Sequence, residues 1–342
     1  MPKYIERELS EKVSLCDGEG NLNPDAKGWS RHPLHVCNLS GHFPRKKKWN
    51  FWIVLNEEIS ISMVIANIDY TGMANVTLMD LRNKTVLSDN VVLVPKGAGM
   101  DMPEEVEKDV KLIKKYLKLS FTQEENGIRL RVDCPGGQNG KLRADIMLSK
   151  PPGHETLNVV IPWNDTDEFH FTSKQNTLAA TGKVQHGDRE YVFGPEDSFG
   201  VLDFGRGMWP SDFIWNWASF NHRQDGELIG INMGSKWTDG TGYNENGLCL
   251  NGRLYKISED LIFEYDTKDF MKPWRIRTGI TDDLDLVLTP TFDKTGGKSS
   301  EGSKTGGTHQ CFGHFNGRVR AGDRIVQIKN AFGWAEQVIG GW

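Results

Sequence analysis

The sequence lacks the features that would place the protein in a membrane or outside the cell. No apolar run approaches the roughly 20 residues of a membrane-spanning helix. The charged N-terminus, MPKYIERELSEKVSLC, has no apolar core of signal-peptide length. The cysteines are few and scattered, without a disulfide framework, at positions 16, 37, 134, 249 and 311. These absences predict free thiols and a cytoplasmic protein without stable membrane insertion.

Motifs for the common cofactors and nucleophiles are also missing. The sequence has no glycine-rich dinucleotide fingerprint, no P-loop and no Gly-x-Ser-x-Gly elbow. No cysteine lies in a recognisable catalytic motif. These gaps argue against dinucleotide-dependent, nucleotide-hydrolysing and ordinary serine-hydrolase chemistry, and no cofactor is expected.

Neither sign of charge dominates, because the formal net charge is only −5. That balance gives no attraction to nucleic acid, and a nucleic-acid partner is not expected. One basic run, PRKKKWNFW at 44–52, precedes aromatic residues. We interpret it as a solvated loop that enters a strand; a nucleic-acid patch and a binding site for a ligand's phosphate or carboxylate are the alternatives.

Glycine and aromatic residues are plentiful, and their arrangement predicts an all-β fold. The chain has 37 Gly, 16 Phe and 11 Trp, and apolar and polar residues alternate through most segments, as in half-buried strands. Trp-Asn precedes an apolar strand both in KWNFWIVLN and in IWNWASFN, which suggests two halves. The expected domains are 1–160 and 161–342, and the low-complexity segment 294–307 predicts a flexible loop.

A single segment has the composition of a helix. In PEEVEKDVKLIKKYLKL, at 103–119, a proline comes first, acidic residues precede lysines, and Val106, Val110, Ile113 and Leu117 form an apolar stripe. We expect one short helix here that covers a β structure.

The stretch GMWPSDFIWNWASF, at 207–220, holds three tryptophans beside polar residues. If residues 213–222 form a strand, Trp215 and Trp217 share one face, and Asn216 and His222 share the other. The tryptophans are then core, the wall of a ligand pocket, or partly both.

Three charged residues near the aromatic positions are the candidate catalytic groups. Asp203 and Arg206 lie just before the tryptophan-rich stretch, and Glu245 lies in the glycine-rich segment DGTGYNENG. A carboxyl group desolvated by tryptophan has a raised pKa and is suited to proton transfer. Arg206 would bind an anionic group or stabilise an oxyanion; alternatively it pairs with Asp203 and keeps that carboxylate ionised and structural. For Glu245, the alternative is a hairpin loop with Asn-Gly turn chemistry.

Metal binding is not expected. Histidines and cysteines cluster at 16–42 and again at 309–314, but neither cluster has a recognised ligand spacing. His35 and Cys37 would share a strand face, which leaves a zinc site as the alternative.

Several motifs together resemble the domain of unknown function 2804 family, from near residue 10 to the C-terminus. They are GWSRHPLHVCNLSG (28–41), KKWNFW (47–52), LDFGRGMWP (202–210), WNWAS (215–219), GINMGSKWTDGTGYNENGL (230–248), DTKDFMKPWRI (266–276) and GWAE (333–336). More distantly, the layout is similar to lipocalin-like carotenoid 1,2-hydratases, tocopherol cyclases and fungal Diels–Alderases. The His-rich central motif associated with the carotenoid hydratases is absent. This resemblance implies two lipocalin-like, or calycin-like, barrel or sandwich halves packed together.

The combined expectation is a cofactor-independent lyase, hydratase or isomerase. By analogy with the resembled proteins, its hydrophobic small-molecule substrate would bind between the two β domains. A non-catalytic carrier of a lipid or hydrophobic metabolite and a carbohydrate-active or sugar-binding protein are the alternatives. The expected substrate-binding residues are Trp49, Trp52, Trp209, Asp212, Trp215, Asn216, Trp217, His222 and Asn246.

Overall fold

The computed structural model describes residues 6–100, 102–137, 139–296 and 307–341. Most of the loop predicted at 294–307 lies outside these residues. The chain divides into two compact units. The N-terminal unit comprises Leu9–Val160 and Asn164–Trp209, and the C-terminal unit comprises Met1–Glu8, Ile161–Trp163 and Pro210–Trp342. The N-terminal unit therefore includes residues beyond the boundary at 160 that the sequence suggested.

The N-terminal unit is built from antiparallel strands, with a short parallel pair, β1 and β3, beside them. The strands are β1 (Val13–Ser14), β2 (Trp29–Ser30), β3 (His35–Val36), β4 (Lys46–Leu55), β5 (Ile59–Asn67), β6 (Thr71–Asp80), β7 (Thr85–Pro95), β8 (Val110–Ile113), β9 (Lys118–Glu124), β10 (Gly127–Cys134), β11 (Leu142–Ser149), β12 (Leu157–Pro162), β13 (Phe169–His186), β14 (Arg189–Phe193) and β15 (Phe199–Met208). The main sheet has the order β7-β6-β5-β4-β15-β13-β11-β10-β9-β8, and β12 and β14 pair with β13.

One apolar core fills the concave side of this sheet. It joins inward-facing side chains of β4–β6 with those of β8–β11, including Ile61, Leu78, Leu130 and Ile146. Strands from both ends of the sheet contribute to the same core, so the sheet curls into a barrel-like unit. Its interior is packed with side chains.

The prediction of a helix at 103–119 is wrong. Residues 104–108 form bends, and the segment continues into β8 and β9, which pair antiparallel. Leu112 pairs with Leu119, and both are buried in the barrel core. Ile113, assigned to the apolar stripe of the helix, is 68% exposed. The segment also contains a period-2 pattern, and burial of alternate residues in the barrel outweighs the local helical pattern.

The C-terminal unit is one nine-stranded antiparallel sheet in the order β19-β18-β17-β16-β24-β23-β22-β21-β20. Its strands are β16 (Asp212–Gln224), β17 (Glu227–Ser235), β18 (Gly247–Leu250), β19 (Arg253–Lys256), β20 (Leu261–Glu264), β21 (Trp274–Thr278), β22 (Leu284–Gly296), β23 (Thr308–Ala321) and β24 (Arg324–Gly341). Phe220, Trp274, Leu286 and Phe315 belong to its own core. The prediction of an all-β protein with two barrel-like or sandwich-like halves is confirmed.

Candidate functional site

Two adjacent strands of the N-terminal unit place polar side chains on the face opposite the core. His170, Thr172 and Lys174 of β13 alternate along the strand and pair with positions 207, 205 and 203 of β15. Gly205 also pairs with Trp49 of β4. A Cβ atom on Gly205 would lie 2.2 Å from Cε2 of Trp49, and one on Gly207 would lie 2.6 Å from Nδ1 of His170. The two glycines therefore make room for these rings.

The imidazole of His170 is held between two indoles. Trp49 stacks on it at a centroid distance of 4.5 Å, and Nε1 of Trp209 donates a hydrogen bond to its Nδ1 at 2.9 Å. An acceptor Nδ1 defines the neutral tautomer with the proton on Nε2. Burial, with Lys174 and Arg206 nearby, lowers the pKa of His170 well below its ordinary value of 6.5. His170 is therefore a neutral, fixed ring at physiological pH.

Asp203, a predicted catalytic residue, lies in this cluster. Its Oδ1 is 2.8 Å from Nζ of Lys174 and accepts a hydrogen bond from Oγ1 of Thr172 at 3.3 Å. Its Oδ2 accepts a hydrogen bond from Nε1 of Trp49 at 3.1 Å. Three donors, one of them the ammonium group of Lys174, thereby fix both oxygens of the carboxyl group. The geometry suits a carboxylate that orients Trp49 and Lys174.

Arg206 lies on the other face of β15, so the alternative that it pairs with Asp203 does not hold. Residues three apart in a strand point to opposite faces. The guanidinium donates to the carbonyl oxygens of Pro103, Trp49 and Gly205 and to Oδ1 of Asn50, at 2.7–3.2 Å. Burial lowers its pKa to about 9, so it stays protonated at neutral pH. With every nitrogen bonded and the side chain fully buried, it has a structural role here.

Trp52, predicted to bind substrate, also faces the core of the N-terminal unit and is 2% exposed. It pairs with Leu202, whereas Trp49 pairs with Gly205, which faces the other way. Of the two tryptophans predicted on β4, only Trp49 therefore joins the cluster around His170.

In the C-terminal unit, residues 212–220 of the tryptophan-rich stretch form the first part of β16, with the predicted alternation. Ala218 and Phe220 face the core, so Trp215 and Trp217 lie on the opposite face. Trp215 stacks on Phe213 at 4.9 Å, and Trp217 meets Trp334 edge-to-face at 5.0 Å. Phe213 and Trp215 are half-buried, while Trp217 is only 6% exposed. This aromatic face therefore becomes more accessible toward the start of β16.

Two buried glutamates lie on the same face. Glu336 of β24 pairs with Trp217, and its carboxylate accepts hydrogen bonds from Nε1 of Trp215 and Nε2 of Gln310, both at 2.9 Å. Glu245 packs over Gly234 of β17, where an added Cβ would lie 2.2 Å from its Oε1. The same oxygen accepts a hydrogen bond from Nε1 of Trp237 at 3.2 Å.

These glutamates flank Trp217. Gly234 and Glu336 are its register partners on β17 and β24, on either side of β16. Neighbouring strands lie about 4.8 Å apart, so the backbone positions beneath the two carboxylates are separated by roughly 10 Å. We call this set, Trp215, Trp217, Trp237, Trp334, Glu245 and Glu336, the indole–glutamate face.

The remaining predicted residues lie outside this face. Asn216 points to the other side of β16 and donates to the Tyr265 hydroxyl at 3.0 Å. Asp212 is exposed, and His222 shares the core-facing alternation of Phe220. Asn246 is buried, and its side chain bonds the backbone of Gly234 and Glu259.

Sequence reasoning missed three residues that the structure brings to these sites: His170, Lys174 and Glu336. The alternation in EFHFTSK places His170 and Lys174 on one strand face, and GWAE places Trp334 and Glu336 two residues apart. Both signals were available in the period-2 pattern.

The positions considered for metal have other partners. Within the described residues, no group of three or more His, Cys, Asp or Glu is arranged to hold a metal ion. Nε2 of His35 lies 2.9 Å from the Ala26 carbonyl oxygen, and burial raises the pKa of the Cys37 thiol. In the basic run, Arg45 pairs with Asp167 and Lys46 pairs with Asp69.

A groove of about 540 Å³ lies elsewhere, along β8–β11, β13 and β14. Its lining alternates in charge: Asp133 is paired with Lys118 and Arg143, and Asp145 with Arg131. The ion pairs connect neighbouring strands on an exposed surface. We therefore interpret the groove as a set of cross-strand ion pairs that stabilise the sheet.

The fold and the indole–glutamate face define an all-β, two-unit protein with buried carboxylates among indoles. The chain belongs to the family described as "Domain of unknown function (DUF2804)", whose model matches residues 6–342. A search of curated proteins finds no significant match. Within the described residues, no helix has the length and apolar character to cross a bilayer.

Solved structures with a similar fold cover nearly the whole chain. CghA with Sch210972 is 12% identical over 87% of this chain and 89% of its own, with a TM-score of 0.58. Kievitone hydratase from Nectria haematococca is 12% identical over 97% and 98%, with a TM-score of 0.52. An AttH protein from Nitrosomonas europaea is 14% identical over 90% and 98%, with a TM-score of 0.52. At these identities the likeness shows the shared fold.

Proposed function

We propose that the protein is a lyase, hydratase or isomerase that transfers protons to and from a hydrophobic small molecule. The observation that carries this proposal is the pair of buried glutamates on either side of Trp217. Indoles supply a flat apolar wall, and a few fixed polar groups on such a wall are typical of small-molecule sites. Two structural neighbours, one named a hydratase and one solved with a small molecule, are consistent with this class.

The two carboxyl groups have different surroundings, as an acid and a base require. Glu336 accepts two N–H donors, which stabilise a carboxylate and suit a proton acceptor. Glu245 is 1% exposed and lies against glycine and indole. In the proposed reaction Glu336 takes a proton from the substrate or from an attacking water, and Glu245 protonates the opposite end of the reacting bond.

Asp203 is assigned an orienting role in this proposal, because Lys174 already neutralises it. Arg206 is not assigned to substrate, because its guanidinium is bonded to backbone and amide oxygens.

The test uses a panel of flat conjugated phenols and polyenes, with kievitone among them. The protein is incubated with each compound in D₂O, and mass spectrometry detects added water, lost water or incorporated deuterium. For a compound that is converted, we expect Glu245→Gln and Glu336→Gln each to reduce turnover by about 100-fold or more. Quenching of tryptophan fluorescence should show that both variants still bind it.

Glu264→Gln is the matched control, because Glu264 is an exposed glutamate of the same unit that pairs with Arg277. It should leave turnover unchanged. If panel compounds bind with high affinity but none is chemically altered by the wild-type protein, the protein is a carrier and the enzymatic proposal fails.

A further inference from the structure

Neighbouring strands of the C-terminal unit place polar side chains in one row on the core side of their sheet. Asn216 of β16 pairs with Gln337 of β24, and Gln337 pairs in turn with His309 of β23. Two residues further along each strand, the adjacent row on the same face belongs to the core and consists of Ala218, Ala335 and Cys311. The polar row therefore borders the core. It runs from Asn216, which is fully buried, to His309, whose side chain is 30% exposed and within reach of a ligand.

The accessible end of this row is a dyad of an aspartate and a histidine. Oδ2 of Asp293, on β22, lies 2.7 Å from Nδ1 of His309. An aspartate oxygen accepts the ring N–H, so Nδ1 of the neutral imidazole carries the proton and Nε2 carries the lone pair. Asp293 is the register partner of Cys311, a core residue, and its side chain is only 16% exposed. In serine hydrolases the same arrangement orients the histidine base and stabilises the imidazolium that forms.

A phenylalanine fixes the plane of the histidine ring. Phe270 lies parallel to His309, with 3.7 Å between the ring centroids and 6° between the planes. The carbonyl oxygen of Phe270 accepts hydrogen bonds from Nε1 of Trp274 at 3.0 Å and from the Cys311 thiol at 3.4 Å. Burial raises the pKa of that thiol, so Cys311 is a hydrogen-bond donor here and not a nucleophile. With one face of the imidazole covered by Phe270, a ligand meets the ring at its edge, where Nε2 lies.

Neutral hydrogen-bonding groups and further aromatic rings surround the dyad. The Tyr265 hydroxyl donates to Oε1 of Gln337 at 2.6 Å and accepts a hydrogen bond from Nδ2 of Asn216 at 3.0 Å. Its ring stacks on that of Trp274 at a centroid distance of 3.9 Å. Burial raises the pKa of Tyr265 above its ordinary value of 10, so this phenol stays neutral. Aromatic walls with a few fixed polar groups favour a flat ring that carries a polar substituent.

We propose that Asp293 and His309 form the base of a second small-molecule site, which binds a flat ring carrying an acidic hydroxyl group, as in a phenol. His309 is the base that contacts the ligand, and Asp293 is a positioning residue. In the proton transfer, the O–H bond of the ligand breaks and an N–H bond forms at Nε2. The resulting imidazolium lies between the bound oxyanion and the Asp293 carboxylate, so its charge has a counterion on either side. Nothing is oxidised or reduced in this step.

This second site is separate from the indole–glutamate face. Asn216 alternates with Trp215 and Trp217 along β16, and Gln337 follows Glu336 directly on β24. Successive residues of a strand point to opposite faces of the sheet. The dyad therefore lies on the core side, and its use as a base does not depend on the function proposed for the two glutamates.

Absorption spectroscopy with 4-cyanophenol tests the ligand class, because the phenolate absorbs at longer wavelength than the phenol. At pH 7 the free compound is mainly protonated, and on binding to the full-length protein it should acquire the phenolate band. Its methyl ether, 4-methoxybenzonitrile, has no proton to transfer and should show no such change. His309→Gln should abolish the band. Asp293→Asn should weaken binding of the phenolate by about 10-fold or more, because the imidazolium loses its anionic partner.

Nitrogen-15 NMR of the imidazole groups measures the dyad itself. In the free protein, the neutral ring of His309 should carry its proton on Nδ1, and bound 4-cyanophenol should leave both ring nitrogens protonated. His314→Gln is the matched control, because His314 is a half-buried histidine of the same strand that contacts Phe332 edge-to-face at 5.3 Å. It should retain the phenolate band.

Circular dichroism verifies that each variant is folded. If one of the two dyad variants does not fold, the NMR spectra of the wild-type protein with and without 4-cyanophenol still decide the matter. The proposal is overturned if the phenol does not bind or binds only in its neutral form. It is also overturned if the phenolate band persists in folded His309→Gln, since the base would then lie elsewhere. A neutral His309 ring with its proton on Nε2 would contradict the positioning role of Asp293.

Discussion

At the scale of single residues, two glycines on β15 determine how aromatic rings are seated beside it. Gly205 and Gly207 lie opposite Thr172 and His170, and each replaces a side chain that the rings would otherwise meet. An ideal Cβ on Gly205 would approach both Trp49 and His170, the latter at 2.7 Å. Real Cβ atoms do not reach such distances, so a larger residue requires the rings to move.

We expect Gly205→Ala to lower the free energy of unfolding by about 1–3 kcal/mol, the usual range for overpacking a well-packed site. Near-ultraviolet circular dichroism should change as well, because Trp49 and His170 lose their stacking. Gly194→Ala is the control, since no atom lies within 4 Å of its added Cβ. Urea denaturation of both variants measures the difference, and equal stability would show that the rings are not fixed by this glycine.

The orientations and partners of single residues show why the site could be predicted only in part. The prediction that Trp215 and Trp217 share one face is correct, because strand alternation is visible in sequence. The same rule argues against pairing Asp203 with Arg206, three residues apart, and the structure gives Asp203 a lysine partner from another strand. Register between distant strands brings Glu336 beside Trp217, and a single sequence does not encode that register in any local pattern.

At the scale of structural elements, the segment predicted as a helix is the main difference between sequence and structure. Arg206 donates two hydrogen bonds to the carbonyl oxygen of Pro103, at 3.2 and 3.1 Å, and the backbone of Cys37 donates to Glu104. These contacts fix residues 103 and 104 in a non-helical path that leads to β8. A helix there would rest on local propensity alone, whereas the observed path buries Val106 and Val110 in the core.

We expect Arg206→Lys to release this segment. A lysine ammonium has three donors in a compact geometry and does not reproduce the planar fork that reaches four different oxygen atoms. Hydrogen–deuterium exchange of residues 103–110 should become faster, and the free energy of unfolding should fall by at least about 1–3 kcal/mol, because buried carbonyl groups lose their donors. Arg143→Lys, at an exposed ion pair, is the control. Unchanged exchange in 103–110 would contradict the anchoring role.

At the scale of the whole molecule, the fold class followed from composition and alternation. Many glycines, aromatic residues and period-2 segments indicate strands throughout, and the two large sheets confirm this. The sequence did not predict that β13–β15 belong to the N-terminal unit. Their membership depends on which earlier strands they pair with. Sheet membership is a non-local property, and the chain enters the C-terminal sheet only at β16.

The distribution of buried histidines predicts how the molecule responds to acid. His35, His154 and His170 all belong to the N-terminal unit, and burial is the main cause that lowers the pKa of each below 6.5. For His35 the value falls to about 4. Below pH 6.5 the unfolded chain binds more protons at these positions than the folded unit does. The free energy of unfolding therefore decreases as the pH falls below 6.5, and His35 contributes about 1.4 kcal/mol per pH unit between 6.5 and 4.

Carboxylates act in a lower pH window, which separates the two effects. Hydrogen bonds from residues 279–281 lower the pKa of Glu259 below its ordinary 4.5, so its stabilisation is complete above that value and is lost only below it. We expect protection against hydrogen–deuterium exchange, corrected for intrinsic rates, to decrease between pH 7 and pH 5 in the N-terminal unit more than in the C-terminal unit. His35→Gln, which removes one of the three groups, should reduce that pH dependence. Equal loss of protection in both units, or none above pH 5, would mean that these histidines are not held neutral by burial.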